Sequence, residues 1–469
     1  MGTLSAALRD RALRAVVIVV LTLGATSVIV YWVKSVNPVD FLVYRYASRM
    51  ALHGADVYSH NIIGPMMMKG PGLPYTYTPF GLIALLPTTL AGWRATYLAL
   101  CLADVLVIAL VLDAVVAKEV PVGNGVRRAV ILAVALALTA FSTIVVFEVS
   151  FGQINGLLLG ASLADVLRSR QGRLARILPP GSLIGVATAI KLLSGLLICY
   201  FILTRQWRLA RNSIVTCAVC TLIGGLVYPG MTVKFFTAVV WQLPQRVAIG
   251  SFASSGNNSV QGFLAALGVQ PGLWRTAASV AVAAGGLWAA WACHRRGREL
   301  EAWLTVGIAA QLASPVSWIH HWMWLAPAVL LVALRSRSYL TWAATGLASA
   351  VMLIGGPQAG TQLIVHGPTW ALPVGALLRE SLVVTGIWCI AMFLAPAPRT
   401  SAPSETATGD PCEALADQDA ALLGDAAKEH VPGASALTSK ASRQDPRAPA
   451  GPRTLRQVPA RARSEELLQ

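Results

Sequence analysis

Apolar runs of about 20 residues recur from near Ala15 to Ala395, and short basic loops separate them. A run of that length spans bilayer hydrocarbon as a helix, the one open-chain structure that satisfies its own backbone there. The chain is therefore expected to be an all-α polytopic membrane protein. A soluble bundle would need more polar surface. Here 55% of residues are hydrophobic and 12% charged, against roughly a quarter charged in soluble domains. The net charge of +16 would also suit nucleic acid. However, the Lys and Arg residues sit mostly in short loops, as the positive-inside rule requires. The expected partner is thus the lipid bilayer, with no nucleic acid. The seven cysteines are scattered; Cys217 and Cys220 form a C-x-x-C without a His or acidic neighbour and read as small buried hydrophobes.

The charges also set a topology. Arg9, Arg11 and Arg14 place residues 1–13 in the cytoplasm. The first run, about 15–33, is too long for a signal-peptide core and reads as a retained span. Residues 34–91 then form a long first periplasmic loop. Phe41, Tyr44, Ala47, Met50 and Ala51 recur at helical spacing with Arg45 and Arg49 on another face, the pattern of an amphipathic helix on the outer leaflet. Leu73 to Phe80 holds two prolines and three aromatics and reads as extended chain. The run 182–204 poses a conflict. A full crossing would put Arg205, Arg208 and Arg211 outside and reverse every later loop. A re-entrant hairpin broken near Lys191–Gly195 resolves it. About ten transmembrane helices then remain, within a membrane domain of residues 14–398. Residues 230–270 read as an outer loop. Residues 399–469, rich in Ala, Ser, Pro and charge, read as a disordered cytoplasmic tail.

This topology gathers four polar clusters on the outer face: Asp40 with its helix, Glu148 to Asn155, Asn257 to Gly262, and Ser314 to Trp322. Asp40 is a turn residue on the plain reading, but its place at the head of an aromatic helix favours chemistry. For Glu148 the two readings are level. Gln153 and Asn155 suit helix–helix hydrogen bonds equally well. His320 and His321, adjacent and facing opposite ways, argue against a shared metal. Lys191 is costly in an apolar hairpin unless it meets an anion or a carbonyl. Arg45, Arg49, Lys69, Arg246 and Arg275 suit headgroup contact, or one of them a lipid phosphate.

The order Asp40-Phe41-x-Val43-Tyr44, Gly54-x-Asp56-x-Tyr58 and Pro74-Tyr75-Thr76-Tyr77-x-Pro79-Phe80 resembles glycosyltransferase family 87. Gly152-Gln153-Ile154-Asn155, Ala189-Ile190-Lys191, Asn257-x-Ser259-x-x-Gly262 and Ser314-Pro315-x-Ser317-Trp318-x-His320-His321 continue the likeness. It covers residues 40 to about 324 and departs at Gln261, where the pattern has Arg. The resemblance implies a GT-C type fold in a bacterial plasma membrane, with both termini cytoplasmic and the active site periplasmic. It implies mannose transfer from a polyprenyl-phosphate mannose donor to a mannolipid or lipoglycan acceptor, with inversion. The acceptor class is phosphatidylinositol mannoside, lipomannan or lipoarabinomannan, and the linkage α-1,2. Asp40 would be the general base, with Glu148 its rival. Lys191, His320, His321 or an outer Arg would steady the leaving phosphate. Asp56 and Glu148 would hold sugar hydroxyls, and Tyr44, Tyr75, Tyr77 and Trp318 would stack on sugars. Gln153, Asn155, Asn257 and Ser259 join the substrate-binding set. A lipid phosphate is already a good leaving group, so no cofactor and no catalytic metal is expected. A donor such as polyprenyl-phosphate arabinose stays open. A lipid-sugar flippase is less favoured, because its polar site belongs at the bilayer midplane between repeats.

Overall fold

A computed structural model of the chain describes residues 2–32, 38–64, 72–121, 124–167, 178–248 and 251–396. The expected tail, Lys69 and the basic stretch from Arg168 to Arg176 lie outside these. Helix α1 (Gly2–Trp32) leads to α2 (Val39–Leu52), a two-stranded antiparallel ribbon of β1 (Asn61–Ile63) and β2 (Leu73–Pro74), and α3 (Pro79–Ala84). Next come α4 (Trp93–Glu119), α5 (Gly125–Ala140), α6 (Thr143–Phe151) and α7 (Asn155–Leu167). Helices α8 (Ser182–Ile190) and α9 (Leu196–Leu203) flank a 3-10 turn, Leu192–Gly195. Beyond α10 (Trp207–Val227) lie α11 (Pro229–Lys234), a π turn (Phe235–Val239), α12 (Val240–Val247), α13 (Val260–Ala266) and α14 (Leu273–Arg295). The chain closes with α15 (Glu299–Ala313), a 3-10 segment (Ile319–Trp324), α16 (Leu325–Arg335), α17 (Tyr339–Ile354), α18 (Gly356–His366), α19 (Leu372–Arg379) and α20 (Ser381–Leu394).

Four of the described helices are long and apolar enough to cross a membrane: residues 9–28, α4, α10 and α14. Three bent pairs reach that length together: α5 with α6 at 61°, α17 with α18 at 72°, and residues 369–379 with α20 at 55°. Length and apolarity thus give four to seven crossings, where about ten were expected. The α5–α6 and α17–α18 runs are therefore not straight. Ser142 caps α6 by accepting from the Val145 N–H at 3.4 Å, and Gly355 breaks the α17–α18 run at φ 70°, a left-handed conformation glycine adopts without strain. The helices present Leu, Val and Trp outward, among them Leu222, Leu226, Val280 and Trp288, as a lipid-facing surface does.

The hydrophobic run 182–204 is broken where the charge argument placed the break. A side chain at Gly181 would meet Leu209 and one at Gly185 would meet Ser213, so α8 runs alongside α10 in the same direction. Helix α9 turns into α10 over three residues and packs against it. The two arms therefore run in opposite senses, with Lys191 at the tip.

Three expectations are corrected. Helix α2 does not lie on a surface. Phe41 to Arg45, Ala47, Ser48 and Ala51 are buried in protein. Arg45, expected at a headgroup, donates to the Thr88 carbonyl, and Arg275 is buried over the Phe252 ring. Charge alone could not place them, because a guanidinium is equally content with backbone carbonyls. The expected loop 230–270 is mostly helical, and its apolar residues build a cavity wall.

Helix α15 is central: every residue from Leu300 to Leu312 is buried, as expected of a helix apolar all round. Gly307 lets the Trp324 indole lie against it, where a Cβ would come within 2.0 Å of the ring. Gly307→Ala should destabilise the detergent-solubilised protein by about 1–3 kcal/mol. Gly24→Ala, with open space around it, should leave the melting temperature equal or slightly raised. A neutral Gly307→Ala would contradict this packing.

Candidate active site

Segments from distant parts of the chain converge on one cavity of about 910 Å³. Asp40 enters it from the first turn of α2, where the positive end of the helix dipole favours a carboxylate. Gln153 reaches it from the α6–α7 junction. Gly152 there has φ 68°, and a Cβ on it would lie 2.5 Å from Phe41. Glycine therefore does two things: it makes the left-handed turn and lets α2 close on the junction.

That closure orients the Gln153 amide. Its Oε1 accepts from the Tyr44 hydroxyl at 2.7 Å and the Tyr77 hydroxyl at 3.1 Å, which leaves the amide N–H groups to donate to Asp40. Burial raises the Asp40 carboxyl from its ordinary value to about 6, against the opposing pull of the Gln153 hydrogen bond and the Lys191 charge.

Lys191 arrives from the hairpin tip. The extended stretch before α3 anchors the tip: Thr78 donates from its N–H to the Ile190 carbonyl at 3.5 Å and from its hydroxyl to the Ala189 carbonyl. The Lys191 ammonium donates to Asn155 Oδ1 at 2.8 Å and to His321 Nε2 at 3.1 Å, and sits 5.6 Å from the Tyr77 ring. An ammonium has three N–H donors, so one remains for a ligand in the cavity. With Nε2 accepting, His321 carries its proton on Nδ1. His320 and His321 both line the cavity, their rings 4.8 Å apart and edge to face. The expectation that adjacent histidines diverge fails because the 3-10 backbone brings the rings together.

Trp318 completes the polar end, its ring packed on Gly256. Much of the remaining wall is apolar: Leu192, Leu193 and Leu196 from the hairpin, Val240, Leu243 and Val247 from α12. In one cavity, the carboxylate can take a proton from a hydroxyl, the ammonium can hold an anion, and the apolar wall can bury a hydrocarbon group.

Not every expected residue reaches this space. Tyr44 and Tyr75 are fully buried behind it, so neither can stack on a sugar; Tyr44 serves through Gln153. Asp56 is paired with Lys234 at 2.5 Å and with Ser59 at 2.7 Å, away from the cavity. Glu148 is 1% exposed and its oxygens are taken by Asn155 and Gly156, so it cannot meet an acceptor hydroxyl. Asn155 contacts Lys191 from beneath. Asn257 and Ser259 are structural: Asn257 accepts from the Ser317 N–H at 3.0 Å, and Ser259 caps α13. They hold the segment that carries Trp318. Unforeseen lining residues include Phe147, Phe151 and Gln358. The first two follow the apolar face of α6 and were legible in principle. Gln358 sits in a helix with no distinguishing signal. Arg246 was noted only as an outer cation; it lines the cavity and donates to the Tyr58 carbonyl.

Comparison with known proteins places this geometry in a class. The model of glycosyltransferase family 87 matches residues 75–315, just over half of the chain, and the chain belongs to that family. The match includes Tyr77, Gln153, Asn155 and Lys191, and lies between Asp40 and Trp318. A polyprenol-phosphate-mannose-dependent alpha-(1-2)-phosphatidylinositol mannoside mannosyltransferase of Mycobacterium tuberculosis is 28% identical over 334 residues, 68% of this chain and 74% of its own. Its namesake from Mycolicibacterium smegmatis is 29% identical over 338 residues, 67% of this chain and 74% of its own. A pentamannoside mannosyltransferase of Mycobacterium tuberculosis is 28% identical over 325 residues, 67% of this chain and 71% of its own. Among solved structures, ArnT from Cupriavidus metallidurans bound to undecaprenyl phosphate is similar at a TM-score of 0.40 and 18% identity, covering 80% of this chain and 75% of that one.

The raised Asp40 carboxyl has a consequence for stability. Its ionised form is favoured less in the folded than in the unfolded chain, so the charge destabilises the fold above about pH 6 and has no effect below about pH 4, where both states are protonated. Asp40→Asn should melt at or above the wild-type temperature at pH 7.5, and its advantage should vanish near pH 4. A variant that melts lower at pH 7.5 would contradict the burial of this group.

Proposed function

We propose that the chain is an inverting mannosyltransferase of GT-C type that moves mannose from polyprenyl-phosphate mannose to a hydroxyl of a mannolipid acceptor. The observation that carries this reading is the placement of Asp40 and Lys191 in one cavity that also has an apolar wall. The names of the relatives support the donor, a phosphatidylinositol mannoside or a larger lipoglycan as acceptor, and an α-1,2 linkage. The charge pattern of the loops supports a periplasmic cavity, about ten crossings with a re-entrant 182–204 hairpin, and cytoplasmic termini with a cytoplasmic tail.

Asp40 takes the proton from the acceptor hydroxyl. The hydroxyl oxygen attacks mannose C1 from the face opposite the phosphate. A new C1–O bond forms as the C1–O–phosphate bond breaks, and polyprenyl phosphate leaves with the electron pair. Lys191 offsets the charge that grows on the phosphate oxygens, where fixed donors contribute most, and the neutral His321 beside it holds it in place. Leu192, Leu193, Leu196, Leu243 and Val247 hold the isoprenoid, and Trp318 and Tyr77 offer flat faces to the sugars. The phosphate ester supplies the activation, so the scheme uses no nucleotide and no metal.

Membranes containing the protein should transfer mannose from polyprenyl-phosphate mannose to a phosphatidylinositol mannoside, and not arabinose from the corresponding arabinose donor. kcat/KM should fall about tenfold per pH unit below about pH 6, as Asp40 takes up a proton. Arabinose transfer alone would overturn the donor assignment. An acid limb absent down to about pH 4.5 would overturn the base.

A further inference from the structure

Two carboxylates buried in the helix bundle have no place in the scheme above. Glu148, near the end of α6, accepts from the Asn155 backbone N–H, and from the Gly156 N–H at 3.3 Å. Asp104, in the middle of α4, accepts from the Leu157 N–H at 2.8 Å. Three successive donors at the start of α7 thus end on two acids, and neither acid lines the cavity. Gly156 makes the approach possible, since a Cβ there would lie 2.5 Å from Asp104 Oδ2.

A helix cap needs only backbone N–H groups. This arrangement does more. The second oxygen of Glu148 accepts from Asn155 Nδ2 at 2.8 Å. With its amide nitrogen committed, Asn155 can turn only Oδ1 to Lys191, and that contact is 2.8 Å. Reversal of the amide would set an N–H group against the ammonium. We infer that Glu148 and Asp104 are positioning residues that, through the start of α7 and the Asn155 amide, aim Lys191 at the phosphate of the lipid-linked donor. The inference rests on the reading of Lys191 as the phosphate site. Acidic groups are expensive in an apolar bundle, and orientation of the cavity ammonium gives these two a function.

The test is binding of decaprenyl monophosphate to the full-length protein in detergent, for wild type, Glu148→Gln, Asn155→Leu and the double variant. Glu148→Gln replaces one of the two carboxyl oxygens that accept from Asn155 with an amide nitrogen, which cannot accept. Asn155→Leu keeps its backbone bond to Glu148 but deletes both side-chain contacts, Nδ2 to Glu148 and Oδ1 to Lys191, so it tests the Asn155 step of the chain even if Glu148→Gln fails to fold. Each single variant should weaken binding about tenfold. The double variant should bind no worse than the weaker single, because both cut one chain of contacts. KM for the acceptor should not move, whereas general loosening would move it as well. Normal binding by Asn155→Leu, or effects that multiply in the double variant, would overturn the inference. So would a wild type that does not bind the monophosphate. A wild type that binds it but transfers no mannose would sink the donor-sugar reading and leave this inference standing.

Discussion

The ammonium of Lys191 sets the conditions for much of this structure. It sits at the tip of an apolar hairpin, where a charge is tolerated only with partners. Asn155 and His321 supply them from segments far away in sequence. Each has its own support: α7 must begin at residue 155 for Asn155 to face the tip, and the 3-10 segment 319–324 must bring His321 back. The tip itself is held by Thr78 through the Ala189 and Ile190 carbonyls. Removal of any one of these supports would leave a charge in an apolar place. The cavity and the hairpin are therefore one arrangement, since the groups that make the charge tolerable are the groups that define the polar end.

Asp40 is held by a different logic. Among the described residues no cation forms an ion pair with it. A neutral amide, fixed by two tyrosine hydroxyls, donates to it, and burial keeps its carboxyl weakly acidic. A carboxylate in a tight ion pair would be a poor base, whereas one held by an amide in a half-buried site can take a proton near neutral pH. Lys191 is near enough to lower its proton affinity but is bonded elsewhere. The proton-accepting and charge-offsetting roles fall on separate groups facing the same space.

Much of this was legible in the sequence, for physical reasons that differ by residue. Lys191 stood out because a charge in an apolar run demands explanation, and the hairpin followed from the signs of later loops. Gly152-Gln153 was visible as a polar break between two apolar helices. What the sequence could not show was direction. Asp56, Glu148, Tyr44 and Tyr75 read as cavity residues because polar and aromatic side chains near a presumed mouth look alike on paper. In the fold, Asp56 turns to Lys234, a contact across 178 residues, and Glu148 turns back to the start of α7, a choice fixed by the turn at Gly152. Arg45 misled for a related reason: helical spacing placed it on a polar face, and the partner on that face is a carbonyl rather than water. The wall from 229 to 247 was missed because its short helices are interrupted by a π turn and Pro244, which blur any period.

The measurement that bears most directly on this account is the rate of mannose transfer from polyprenyl-phosphate mannose by Asp40→Asn, in membranes matched to wild type for amount of folded protein. The substitution keeps shape and removes the base. The account predicts a fall of about 10²-fold or more, with binding of the lipid phosphate unchanged. Transfer near the wild-type rate would contradict it and return the search for the base to the rest of the cavity.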